Sequence, residues 1–211
     1  MAEAYSVWDR LANNYDRLWV QKYSLAPTRL KVMEILSSLP ENPEMLLLDL
    51  GCGTGQLLYE LKNKYAGVKL SGVDKSSEMI RTAQAKKIGA ELFCLNIDRD
   101  ELPEKINENK PDVIVCCHSF PYYNDKQAVL NKLFNALKTD GILIFIQASV
   151  NNLYDRLIHS AVIRTAEPGE YLSIKAFRDL VSTKFVIKQE FKIKKRFYMP
   201  SICGFVLVKR L

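Results

Sequence analysis

The chain of 211 residues holds only two histidines, His118 and His159, and five cysteines: Cys52, Cys94, Cys116, Cys117 and Cys203. It has no Cys-x-x-Cys, no His-Glu-x-x-His and no Cys/His cluster, so neither a protein-held catalytic zinc nor another metal is expected. The cysteines are odd in number and mostly lie inside apolar runs. That fits buried thiols in a reducing cytoplasm better than a disulfide framework. Long apolar runs are missing too: the longest, such as 45–48 and 141–146, are far too short to span a bilayer. Residues 1–5 show no basic region ahead of an apolar stretch, so no signal peptide is expected. There is no internal repeat, low-complexity segment or interdomain linker, and nothing in the sequence fixes an oligomeric state.

What remains is an ordinary globular composition, 48% hydrophobic and 26% charged, at a length that suits one domain with a sizeable core. Thirty basic residues against 24 acidic give +6, a balance that raises nucleic acid, an anionic membrane face or an acidic small molecule as partners. The charge is local. Residues 184–211 carry eight basic side chains and one acidic, or +7, which leaves the other 183 residues at −1. A basic surface wide enough for nucleic acid is not implied.

Two helical patterns open the chain, at 5–19 (Trp8, Leu11, Tyr15, Leu18) and at 27–39, where Pro27 suits a helix start. After a turn cluster at 40–44, short apolar runs alternate with amphipathic helices. Strands are expected at 45–50, 68–73, 91–95, 112–117 and 141–147, and helices at 55–65, 77–87, 125–138, 151–164 and 173–183. Continuous apolar runs suit strands buried on both faces, and the alternation implies a parallel sheet with helices on both sides. The end reads as a hairpin, with 186–197 alternating and 202–208 apolar, closing one edge of the sheet.

The most informative stretch is Leu46-Leu47-Leu48-Asp49-Leu50-Gly51-Cys52-Gly53-Thr54-Gly55, a strand running into a loop and then a helix. Three alternate glycines let the backbone turn tightly and approach a ligand. A dinucleotide loop wants its third glycine at position 56, which is Gln56, and a P-loop needs Gly-Lys-Ser/Thr, which is absent. Neither a pyrophosphate nor a triphosphate is favoured. Taken alone, the three glycines also describe a plain tight turn, Asp74 a helix N-cap, and Asn96 and Asp98 turn residues.

Together they resemble the class I S-adenosylmethionine-dependent methyltransferases, of the small single-domain type 11, UbiE-like kind. Asp49 precedes Gly51-x-Gly53-x-Gly55, and the second strand ends Gly72-Val73-Asp74. Asn96-Ile97-Asp98 follows the third strand, and the fourth holds Val115-Cys116-Cys117. Trp8-Asp9-x-x-Ala12-x-x-Tyr15-Asp16 is similar to the family's lid helix. The resemblance covers roughly residues 8–146. It implies a Rossmann-like α/β fold with a seven-stranded, mostly parallel sheet, helices on both faces, a C-terminal antiparallel strand and a helical N-terminal lid. It further implies a single domain, with a lid at 1–40, a cofactor-binding core at 45–147, and substrate-side helices with the closing hairpin at 150–211. S-adenosyl-L-methionine is the implied cofactor, bordered by Tyr15, Asp49, Gly51, Cys52, Gly53, Gly55, Asp74, Lys75, Met79, Ile97, Asp98 and Cys116. Asp74 would take the ribose hydroxyls, Asp98 the adenine amino group, and Tyr15 the methionine end.

Methyl transfer from a sulfonium is an in-line displacement that depends chiefly on alignment, and a base is needed only where the nucleophile must lose a proton. His118, leaving the fourth strand where the ligand crevice of such sheets lies, is the candidate catalytic base or orienting group; packing beneath the cofactor is the equal alternative. Tyr122 and Tyr123 are candidate substrate-side residues, as are Lys195 and Arg196, whose charges would attract a substrate carboxylate or phosphate if their turn overhangs the crevice. The expected function is methyl transfer to an O, N or S nucleophile of a small molecule in the cytoplasm. Two alternatives stand beside it. Ser119-Phe120-Pro121-Tyr122 is close to the loop of amino-group methyltransferases that act on RNA or DNA bases, and a cofactor-binding protein without catalysis would keep the same motifs.

Overall fold

The structure, a computed structural model, describes residues 6–162, 167–193 and 201–210, the side chains of 158–162 apart. Seven strands form a mixed sheet in the order β3-β2-β1-β4-β5-β7-β6, with helices around it. The chain divides into two compact units, Met1–Asn96 and Ile97–Leu211.

In the first unit, α1 (Val7–Leu11) starts at a capping box: Ser6 Oγ accepts from Asp9 N, and the Asp9 carboxylate takes Ser6 N. Such a reciprocal cap satisfies two otherwise orphaned donors. The single helix expected over 5–19 is not continuous. The chain tightens into a 3-10 turn at Ala12–Arg17, then widens into a π-helical turn at Gln21–Leu25 before α2 (Ala26–Ser37). Over so few residues the spacing of apolar side chains does not distinguish one helical pitch from another.

β1 (Leu46–Leu50), β2 (Lys69–Asp74) and β3 (Glu91–Cys94) are all parallel, with Leu50 beside Val73 and Asp74 beside Cys94. Leu47, Leu48, Leu50, Leu70 and Val73 are buried, as the apolar runs predict. α3 (Gln56–Lys64) and α4 (Ser77–Ala85) complete the unit.

The second unit holds α5 (Glu104–Asn109), β4 (Val113–Cys117), a 3-10 turn at Phe120–Tyr122, α6 (Lys126–Ala136), β5 (Ile142–Ala148), α7 (Leu153–Val162), α8 (Ile174–Val181), β6 (Phe185–Ile193) and β7 (Ile202–Lys209). β4 and β5 are parallel, whereas β7 runs antiparallel to both β5 and β6. The core here is aromatic. Phe120, Phe145, Phe177 and Phe205 are fully buried, with Phe177 stacked on Phe205 at 4.4 Å and edge-on to Phe145 at 5.2 Å. Each such side chain contributes about 1.5–3 kcal/mol by burial. β6 carries a register shift between Ile187 and Gln189, so the strict alternation read for 186–197 is interrupted at Lys188.

Candidate cofactor site

In the first unit the loop after β1 is held by its neighbours. Gly51 N and Cys52 N both donate to Val73 O, at 2.7 and 3.0 Å, which curls the loop over the end of β2. Gly51, Gly53 and Gly55 all have positive φ, at 76°, 53° and 72°, the region glycine enters without cost. Their surroundings differ. A Cβ on Gly55 would lie 2.7 Å from Ile88 Cδ1, so that glycine lets α4 and the segment after it pack close. A Cβ on Gly53 would meet only Tyr15 Cε1, at 3.8 Å, so the half-buried backbone there leaves room for a ligand.

Asp74 ends β2 and accepts Gly53 N at Oδ2 (2.8 Å) and Ser76 N at Oδ1 (2.9 Å). Burial raises its carboxyl above the usual range, against the pull of those two amides. Each oxygen keeps a lone pair for ribose hydroxyls. Asp49, only 4% exposed, is pushed up to about 7 by burial and by the Asp74 charge, with Arg29 opposing. Burial likewise holds the Cys52 thiol well above its ordinary value. Met79 is buried at the start of α4 and Lys75 is half-buried beside Asp74.

The opening segment is tied to this loop by polar side chains, among them Asp9 and Asp16 of the motif that resembles the lid helix. Asp16 accepts Thr54 Oγ1 at 2.5 Å and pairs with Lys86 Nζ at 2.7 Å, while Lys86 Nζ also donates to Thr54 O. Asp9 reaches Ser76 Oγ, at 2.6 Å, in addition to its own helix cap. Tyr15 is thereby held over Gly53, edge-on to Trp8, and burial beside Asp74 and Asp16 pushes its hydroxyl up to about 12. Gln56 Oε1, at the first residue of α3, is buried and has no donor among the described residues. An unfilled buried acceptor beside an open glycine and an anchored carboxylate fits S-adenosylmethionine, which brings hydroxyl and ammonium donors. Tyr15, Gly53, Gln56 and Asp74 are the residues that would hold it.

In the second unit, Ile97 is buried and its carbonyl accepts Lys132 Nζ at 3.0 Å. Asp98 accepts Asn124 N (2.9 Å) and Asp125 N (3.3 Å) at Oδ1 and Asn124 Nδ2 (3.2 Å) at Oδ2, which ties it to the start of α6. Cys116 is buried with its sulfur 3.2 Å from Ser119 Oγ. His118, which follows β4, is left-handed at φ 60°, and its N–H donates to Ile146 O at 2.8 Å. Burial lowers its imidazole to about 4, so it is neutral at pH 7.

Tyr122 Oη lies 2.7 Å from Tyr171 Oη, a partner not singled out from the sequence. Tyr123 is half-buried, and its carbonyl accepts Lys126 Nζ, which is only 8% exposed and also pairs with Glu170 at 2.9 Å. Lys195 and Arg196 lie outside the described residues.

A family model described as a methyltransferase domain matches residues 48–143. A malonyl-[acyl-carrier protein] O-methyltransferase of Acetivibrio thermocellus is 30% identical over 140 residues, covering 65% of this chain and 46% of its own length. A carboxy-S-adenosyl-L-methionine synthase of Wolinella succinogenes is 30% identical over 190 residues, covering 86% of this chain and 74% of its own. The chain spans about half the length, or less, of the first curated relatives it matches. Among solved structures, the magnesium protoporphyrin IX methyltransferase of Synechocystis PCC 6803 with bound SAH superposes at a TM-score of 0.67. It has 19% identity and covers 95% of this chain and 97% of its own. Seven strands in this order, the glycine loop tied to Asp74, and these likenesses agree: the chain belongs to the S-adenosylmethionine-dependent methyltransferase family.

Proposed function

We propose that the protein transfers a methyl group from S-adenosylmethionine to an O, N or S nucleophile of a small molecule. The observation that carries this reading is the loop Gly51–Gly55, with Gly53 open on one side and its amide anchored to the Asp74 carboxylate. When bound, the cofactor supplies an electrophilic methyl on a sulfonium. The chain's own groups hold and align it: Asp74 for the ribose, Tyr15 closing over the loop, and Asp9 and Asp16 fixing the segment that carries Tyr15. In the second unit His118, neutral at working pH, orients a nucleophile rather than stripping a strongly held proton.

The relatives' names differ in chemistry, so the acceptor is argued from the second unit. Methylation of a nucleic-acid base gains no support there. Phe120 is fully buried in the aromatic core, Pro121 is buried, and Tyr122 is bonded to Tyr171, which leaves that turn poorly suited to stacking a flipped base. A cytoplasmic location accords with five cysteines of which none is in a disulfide. Among the described residues no helix is long and apolar enough to cross a membrane.

Calorimetric titration with S-adenosylhomocysteine tests the reading. Wild type should bind at micromolar concentration, and Asp74→Ala should lose at least about tenfold, since it removes charge-assisted bonds worth roughly 1.5–3 kcal/mol. Full binding by the variant would refute the assignment. Binding by wild type without methyl transfer to any acceptor would favour the non-catalytic alternative.

A further inference from the structure

β5 ends in Gln147-Ala148 with Ser149 next, and alternation puts Phe145, Gln147 and Ser149 on one face. Register places Cys203 of β7 opposite Gln147, and Lys192 of β6 opposite Cys203. α8 closes the apolar part of this face, with Phe177 against Phe145 and Phe205. Beyond it the face turns polar. Ser149 Oγ donates to Leu172 O at 2.9 Å and to Asn151 Oδ1 at 3.3 Å. Asp155, 2% exposed, accepts Asn151 N at 3.0 Å and Ser201 Oγ at 3.4 Å, and no cation pairs with it among the described residues. The Cys203 thiol, raised chiefly by burial, is bonded by Ser149 and feels the charges of Lys192 and Glu190 on β6 and of Asp155, so the strand end and the start of α7 converge there.

Gln147 sits in this cluster 2% exposed, and its Oε1 has no donor among the described residues. A buried amide oxygen without a partner lowers stability, and natural folds rarely retain one without use. The position fits a use. Gln147 is the penultimate residue of a strand parallel to β4, and ligands of open α/β sheets lie beyond the carboxyl ends of such strands. The neighbouring Ile146 carbonyl takes the His118 amide. Leu172, which takes Ser149 Oγ, follows Tyr171 of the Tyr122–Tyr171 pair.

We propose that Gln147 is the recognition residue for the methyl acceptor, and that with Asp155 it selects a small amine whose N–H groups supply the missing donors. The inference rests on the methyl-transfer reading above. An acceptor amide oxygen and a buried carboxylate both favour N–H donors and positive charge, and both disfavour a carboxylate or phosphate.

The test uses the full chain saturated with S-adenosylhomocysteine and two matched pairs, phenethylamine against 3-phenylpropionate and butylamine against butyrate. Calorimetry should show at least one amine binding about tenfold or more tightly than its acid. Gln147→Leu and the near-isosteric Gln147→Met should each lose about tenfold in that amine affinity and keep S-adenosylhomocysteine affinity. They should also melt about 2–4 °C higher, because the orphaned oxygen is gone. Amines bound no better than their acids, or unchanged amine affinity in both variants, would overturn the proposal. Failure of wild type to bind S-adenosylhomocysteine overturns the methyl-transfer reading first, and this inference with it.

Discussion

Asp49 offers the sharpest test of the electrostatics around the glycine loop. Its carboxyl ordinarily titrates at 3.8, but burial and the Asp74 charge hold it at about 7 in the folded protein. The folded state therefore binds this proton more tightly than the unfolded chain does. Stability that is complete below 3.8 is lost as pH rises through 7, with a ceiling of about 4 kcal/mol at about 1.4 kcal/mol per pH unit. Asn matches Asp in size and carries no charge. Asp49→Asn should therefore exceed wild type in urea-unfolding free energy by about 2–4 kcal/mol at pH 8 and about 1–2 kcal/mol at pH 5. An equal gain at both pH values would show that charge is not the cause, and a loss at pH 8 would refute the reasoning outright. Arg29 opposes the shift, so Arg29→Gln should deepen the pH dependence of wild type and leave that of Asp49→Asn little changed. A cationic ligand on this loop favours the ionised carboxylate, so affinity for S-adenosylmethionine should climb between pH 6 and 8 more steeply than affinity for its product, which lacks the sulfonium charge.

The His118 imidazole works in the opposite sense. It titrates at about 4 when folded against 6.5 otherwise, so stability should fall as pH drops through that window. The loss is at most about 3 kcal/mol, and less because the side chain keeps some solvent contact. His118→Asn, which tolerates the left-handed backbone, should flatten the slope, and an unchanged slope in urea titrations at pH 7 and 4.5 would reject this. Gly53→Ala and Gly55→Ala should separate binding from folding. The first should cost about 1–2 kcal/mol for its positive φ and abolish S-adenosylhomocysteine binding. The second adds a 2.7 Å clash with Ile88 and should lower the melting temperature further. Equal melting temperatures would contradict that division. Phe177→Ala, which opens the stack with Phe205 and Phe145, should cost about 3–5 kcal/mol in chemical denaturation. A cost below about 1 kcal/mol would mean the core collapses around the gap.

The strands were legible as short apolar runs, or at β6 as alternation, and six of seven fall within two residues of the expected limits at each end. The glycine loop and Asp74 were legible because their chemistry is concentrated in short motifs. What escaped depends on contacts distant in sequence. The Ser6–Asp9 cap is local, but the second task of Asp9 lies 67 residues away at Ser76. α5 has a single buried residue, Ile106, in six, too little periodicity to register. Gln147 reads as the tail of an apolar run until its neighbours are known, and an orphaned oxygen has no sequence signature. The register shift after Ile187 is likewise set by pairing with β7.

The same distinction settles much of the basic C-terminal charge. Lys184 and Lys209 lie over the Phe134 ring, at 4.9 and 4.8 Å. Each ammonium group is attracted by the ring's quadrupole. Partial burial accordingly lowers the Lys209 ammonium from its ordinary value. Glu190, the one acidic residue of the segment, is held by Arg178 of α8 at 2.8 Å, so it does not neutralise the lysines beside it. Lys188 sits at the register shift of the edge strand, where an extra exposed lysine discourages pairing with another chain. These charges protect a sheet edge and cover an aromatic ring. They give no reason to expect an acidic ligand, which is consistent with the proposed role of the Gln147 amide oxygen and the Asp155 carboxylate, both hydrogen-bond acceptors.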